Sequence, residues 1–204
     1  MNWQPAANLA ALRARAELLA RVREFFAARD VLEVETPLLC SNGVTDPAIE
    51  PLMVERGASL IAARFLQTSP EYAMKRLLAA GSGPIYQVAR AFRDGEAGSR
   101  HNPEFTMLEV YMAYADFNDQ MELVESMIHG LAGGLMGGGV CTYQDREVDL
   151  GSPFRRQSLE EAVLQANPDM ESERCRDVIY LREVCDGLGI HVENSWGAGK
   201  LLTE

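Results

Sequence analysis

The chain has 204 residues, 47% of them hydrophobic, and a formal net charge of −11 at pH 7. That length supports one sizeable core rather than two ordinary domains, and the acidic balance argues against a general nucleic-acid coat, which needs clustered Lys and Arg. No run of about 18 apolar residues is present to span a bilayer, and the start MNWQPAANLA lacks the basic and apolar parts of a signal peptide, so the expectation is a cytosolic protein without membrane contact.

Leu9, Leu12, Ala16, Leu19, Val22 and Phe26 fall three or four apart, which predicts a long amphipathic helix opening the chain. VLEVETP (31–37) alternates as a short strand that Pro37 stops, and residues 38–58 read as irregular. LIAARFLQ (60–67) is a second strand candidate. TSPEYAMKRLLAAG carries a helix start and stop, with Ser69 as cap, Pro70 in the first turn and Gly81 at the end.

PIYQVARAFR (84–93) and EFTMLEVYMAYA (104–115) predict an antiparallel strand pair, joined by a polar, glycine-bearing connection. A connection that long between two good strands is more often a functional loop than a simple turn. A helix capped near Asp116 or Asn118 follows and is stopped by the Gly133–Gly139 cluster, then a strand or hairpin over VCTYQDREVDLG, then helices at 158–166 and 177–188. Cys40, Cys141, Cys175 and Cys185 have no CxxC or CxxH spacing, so neither zinc nor a disulfide framework is indicated. WGAGK lacks the first glycine and the final Ser or Thr of a phosphate loop, and His129 and His191 are assigned no chemistry.

Alternation on the second strand puts Phe105, Met107, Glu109 and Tyr111 on one face and Leu108, Val110 and Met112 on the other. The second face is ordinary core. The first carries an aromatic plate, a carboxylate and a phenol, a surface that suits a polar ligand better than a core. Phe105 and Glu109 are roughly 13 Å apart along a strand. Arg93 ends the neighbouring strand on the face of Ile85, Gln87, Ala89 and Ala91, so its guanidinium reaches the same ligand, and Arg100 and His101 in the loop suit further phosphates.

FRDGEAGSRHNPEFTMLE resembles motif 2 of the class II aminoacyl-tRNA synthetases, and VYMAYADFNDQMELVE resembles their lysyl branch. REFFAARDVLEVETPLL is similar to motif 1, which spans about 21–37, and motif 2 spans about 84–115. The resemblance implies an α+β catalytic domain: an antiparallel sheet flanked by helices, here with its C-terminal part, including motif 3, missing. It also implies a homodimer formed through the motif 1 helix.

By the same resemblance, Arg93 is the catalytic arginine on the α-phosphate of ATP, and Phe105 stacks on adenine. Glu96, Arg100, His101 and Asn102 complete the ATP site, and Glu71, Glu109 and Tyr111 hold the amino-acid substrate. ATP and Mg2+ are the implied cofactors, with no metal ligand assigned within the chain. One departure is local: the family's glutamate two positions after the arginine is Gly95 here, and the acid is Glu96.

The helix that carries motif 1 begins almost at the N-terminus, so by this resemblance the expectation is that the OB anticodon-binding domain of lysyl-tRNA synthetases has no room before it. The implied reading is therefore the paralogue that activates lysine or β-lysine and transfers it to a lysine of translation elongation factor P, with the chain alone inactive. The alternatives are a fragment of a lysyl-tRNA synthetase that charges tRNA, and a non-catalytic synthetase-like binding module.

Overall fold

The computed structural model describes residues 3–54, 64–151 and 153–204. The chain forms two compact units, Met1–Pro153 and Phe154–Glu204.

In the first unit, helix α1 (Leu9–Ala27) starts where the Asn8 side chain accepts the Ala11 N–H at 2.8 Å. Its Val22 and Phe26 are buried. After a turn through Asp30, whose φ is 56°, buried Val31 leads into β1 (Leu32–Glu33). β1 runs parallel to β5 (Ile85–Phe92), and β5 pairs antiparallel along its whole length with β6 (Glu104–Tyr111), giving the order β1-β5-β6. The strand pair read from the sequence is present within four residues of its expected ends.

The two faces of this sheet have different partners. Tyr86, Val88, Leu108 and Val110 pack with Val22 and Phe26 of α1 and with Leu123, Met127 and Leu131 of α3 (Phe117–Met136). The Phe26 and Tyr86 rings stack with centroids 4.2 Å apart. On the other face, Ile85 and Ala91 are fully buried, as is Met74 of α2 (Glu71–Ala79). Side chains that alternate along one pair of strands thus build a core on one side and, on the other, the floor of a cleft.

One sequence expectation changes. Residues 38–54 are not wholly irregular: β2 (Leu39–Cys40) and β3 (Met53–Val54) pair antiparallel with β4 (Arg64–Leu66) in a small sheet of order β2-β4-β3. Two-residue strands are too short to show an alternating pattern. Residues 55–63, which include the first part of the 60–67 strand candidate, lie outside the described residues. The helix stop falls within the expected glycine cluster, towards its end. Gly133 and Gly134 lie within α3, and the left-handed cap is Gly137, at φ 68°. The Arg21 side chain occupies the space a Cβ at Gly134 would take.

The α2 start is as read, with one refinement: the cap position falls on Pro70, and the Ser69 hydroxyl one residue earlier takes the Glu71 N–H at 3.0 Å. A hairpin, β7 (Val140–Tyr143) and β8 (Arg146–Asp149), turns through Gln144 and Asp145, whose φ values of 49° and 62° suit a tight primed turn.

The second unit holds α4 (Leu159–Ala166), a single 3-10 turn (Ser172–Arg174), α5 (Val178–Gly187) and α6 (Ala198–Leu202). Tyr180, Leu181, Cys185 and Leu201 form its core. Arg182 donates to the carbonyls of Glu193, Asn194 and Trp196 at 3.1, 3.1 and 2.9 Å, which fixes the segment before α6. The helices expected at 158–166 and 177–188 are present; α6 was not foreseen. All four cysteines are free thiols. No helix among the described residues is long and apolar enough to cross a membrane. The architecture is α+β, with antiparallel sheets flanked by helices.

Candidate functional site

The register of β5 and β6 sets the cleft floor. Phe105 stands opposite Ala91, Glu109 opposite Gln87 and Tyr111 opposite Ile85, so the residues expected to share a face do share it. Past the end of β5, the Arg93 N–H donates to the Pro103 carbonyl at 2.9 Å and carries the pairing one step further. This places the Arg93 guanidinium carbon 5.2 Å from the centroid of the Phe105 ring. Arg93 Nε donates to the Thr68 carbonyl at 3.4 Å, and its NH1 lies 3.6 Å from Glu96 Oε1.

The loop between the strands is shaped at Gly95, whose φ of 73° favours glycine. The Asp94 side chain accepts the Gly95 N–H at 2.8 Å, and the Asp94 N–H donates to the Glu50 carbonyl at 2.8 Å. The turn at Gly95 thus lets the following acid, Glu96, meet Arg93. Glu96, Arg100, His101 and Asn102 line a cavity of about 360 Å³ with Arg93 and Phe105. A flat ring, a guanidinium and two further basic side chains are the donor set that a nucleotide requires.

A second cavity, of about 330 Å³, adjoins it through the same arginine and is bounded by Glu71, Glu109, Ser69 and Thr68. Glu109 is fixed at both oxygens. The Ser69 hydroxyl donates to Oε1 at 2.5 Å, and the Tyr111 hydroxyl donates to Oε2 at 2.8 Å. Burial, and then the hydrogen bond to Glu109, push the Tyr111 phenol well above its ordinary value, so it remains a donor. Tyr111 does not itself line the cavity; it meets the site through Glu109. At the helix start, Lys75 Nζ donates to Glu71 Oε1 at 2.5 Å, and that pairing raises the lysine's pKa.

Eight of the nine residues singled out in the sequence therefore line two adjoining cavities, and the ninth is bonded to one of the eight. Two contributors were not foreseen. Ser69 was read only as a helix cap, and nothing in its neighbourhood points to Glu109, 40 positions away. The connection between β2 and β3 supplies Asn42, Gly43, Val44, Asp46 and Ile49 to the second cavity, and its sequence carries no recognisable pattern.

Among the described residues, no group of three or more His, Cys, Asp or Glu side chains converges. The ring and guanidinium that line the 360 Å³ cavity have the chemistry that an adenine nucleotide calls for.

The family model for class II tRNA synthetases (D, K and N) matches residues 2–184. The lysine–tRNA ligase of Erwinia tasmaniensis is 37% identical over 190 residues, covering 93% of this chain and 37% of its own length. That of Shewanella halifaxensis is 37% identical over 196 residues, covering 93% and 39%. That of Escherichia coli K12 is 36% identical over 192 residues, covering 93% and 37%. The chain spans less than two fifths of the length of these relatives. With the family match running across both cavities and most of both units, the chain belongs to the class II tRNA synthetases of the D, K and N group.

Proposed function

We propose that this chain carries lysine-activating machinery, which holds ATP and lysine in adjoining cavities and joins the lysine carboxylate to the α-phosphate with release of pyrophosphate. The observation that supports this reading is the double membership of Arg93: it borders Phe105 and the basic loop on one side and Glu71 and Glu109 on the other. A ligand that spans both cavities passes this guanidinium.

In this reading Phe105 stacks on the adenine, and Arg100 and His101 take the distal phosphates. Glu109, held by Ser69 and Tyr111, receives an ammonium group of lysine, and Glu71 offers a second carboxylate. The carboxylate oxygen attacks the α-phosphorus as the bond to pyrophosphate breaks. Arg93 opposes the negative charge that builds on the phosphoryl oxygens, a role worth about 3 kcal/mol for a single donor in comparable sites. No step is assigned to an ion held by this chain.

For the acceptor, the lysine–tRNA ligases among the relatives favour tRNA over elongation factor P.

Calorimetric titration with a non-hydrolysable lysyl-adenylate analogue tests the proposal. The analogue is expected to bind much more tightly than AMP or lysine alone, and more tightly than the glutamyl analogue. Affinity no better than that of AMP, or equal for the two analogues, would sink it.

A further inference from the structure

The 330 Å³ cavity has one wall that the proposed chemistry does not use: the connection that follows β2. The other side of this connection faces a further cavity of about 430 Å³, bounded by Pro37, Leu39, Ser41, Thr45 and Arg76. The two cavities share Cys40, Asn42, Gly43, Tyr72 and Ala73, so the loop and Tyr72 together partition them.

At this partition, Thr45 Oγ1 and the Tyr72 hydroxyl oxygen lie 2.7 Å apart in a hydrogen bond. Tyr72 is 51% exposed, so burial of its ring does not account for its placement. Among the described residues, other hydrogen bonds of this loop set its own shape or its far end. The Ala48 N–H donates to the Asp46 side chain at 2.9 Å, and the Asp94 N–H donates to the Glu50 carbonyl at 2.8 Å. A Cβ at Gly43 would meet Pro51, before β3, and Phe65 of β4. The Thr45–Tyr72 bond instead joins the loop to α2, one residue beyond Glu71.

We propose that Thr45 and Tyr72 are positioning residues for the amino-acid pocket: their hydroxyl pair latches residues 41–49 to α2, holds that wall against Glu71 and Glu109, and keeps the pocket separate from the second cavity. The proposal rests on the lysine reading given above. A wall already in place lowers the ordering cost of binding, so losing the latch weakens lysine by what one neutral hydrogen bond contributes, about two- to tenfold. ATP alone is unaffected, because no residue of 41–49 lines the Arg93–Phe105 cavity.

The test compares Tyr72→Phe, Thr45→Val and Thr45→Ser with the wild type by calorimetry with lysine and, separately, ATP, and by hydrogen exchange of peptides covering 41–49. Tyr72→Phe and Thr45→Val are expected to weaken lysine about two- to tenfold, to speed exchange in the loop and to leave ATP unchanged. The double variant should be no worse than either single one, and Thr45→Ser should behave as wild type. If lysine affinity and exchange are both unaltered, the latch is overturned and the lysine reading stands. Faster exchange with unchanged lysine affinity would reduce the bond to a structural one and overturn the positioning role. A wild type that binds no lysine would bring down the lysine reading and this role with it.

Discussion

The Arg93 guanidinium carbon lies 5.2 Å from the centroid of the Phe105 ring, and Arg93 also borders the cavity that holds Glu109. One strand pair and the residue that follows it thus deliver an aromatic plate, a cation and a clamped carboxylate to adjoining cavities. Arg93→Ala is expected to weaken the lysyl-adenylate analogue by roughly 10- to 100-fold, the range for a hydrogen bond to a charged group. Lysine alone should change much less, since its proposed partners are carboxylates. Equal losses for both ligands in parallel titrations would show that Arg93 does not contact the phosphate.

Glu109→Gln removes the charge and keeps the shape. Lysine affinity should fall by at least about tenfold, because an ammonium loses a charged partner. Tyr111→Phe should give a smaller loss in the same direction, since it frees one oxygen of Glu109 and leaves the charge in place. ATP titrations should be unmoved by either change, and a loss of ATP affinity would mean the two cavities are misassigned.

Much of this arrangement was legible because strands have a period of two. Phe105, Glu109 and Tyr111 could be placed on one face from spacing alone, and Arg93 added from the neighbouring strand. Other parts depend on contacts distant in sequence. Ser69 looks like a helix cap because its local bond is to Glu71; its bond to Glu109 appears only when α2 lies against β6. β2 and β3 are held by pairing with β4 rather than by any pattern of their own. The Gly133–Gly139 cluster read as a stop without showing which glycine caps the helix; it is Gly137, with Arg21 lying against Gly134 inside the helix.

Phe26 is 1% exposed and stacks on Tyr86, so it joins α1 to the sheet behind the cleft. Phe26→Ala should cost about 3–5 kcal/mol by chemical denaturation. A loss under about 1 kcal/mol would indicate that the site collapses around the missing ring more completely than close packing allows.

Tyr86 also sets a pH limit. Burial, and then its hydrogen bond to Glu33, raise its pKa from 10.0 to about 12. A raised folded-state value contributes stability that is fully present below pH 10, where both states are protonated, and is lost as pH rises to about 12. Between these limits the unfolded chain ionises and the folded one does not. The denaturation midpoint should therefore fall across this window, and Tyr86→Phe should flatten that part of the profile. An unchanged slope in the variant would assign the fall to other groups.

The acceptor is the remaining choice, and two observations pull in opposite directions. A net charge of −11 gives little general attraction for a phosphate backbone, which favours a small protein such as elongation factor P. The relatives matched over 93% of the chain are lysine–tRNA ligases, which favours tRNA. Net charge is a bulk quantity, and Arg93 and Arg100 show that cations can be concentrated locally within an acidic chain. The specific comparison therefore outweighs the bulk one. With purified lysyl-adenylate as donor and both acceptors at equal concentration, label from lysine is expected on tRNA, with a rate that falls steeply as salt is raised. Preferential labelling of elongation factor P, with weak salt dependence, would reverse the assignment and leave the lysine-activation reading intact.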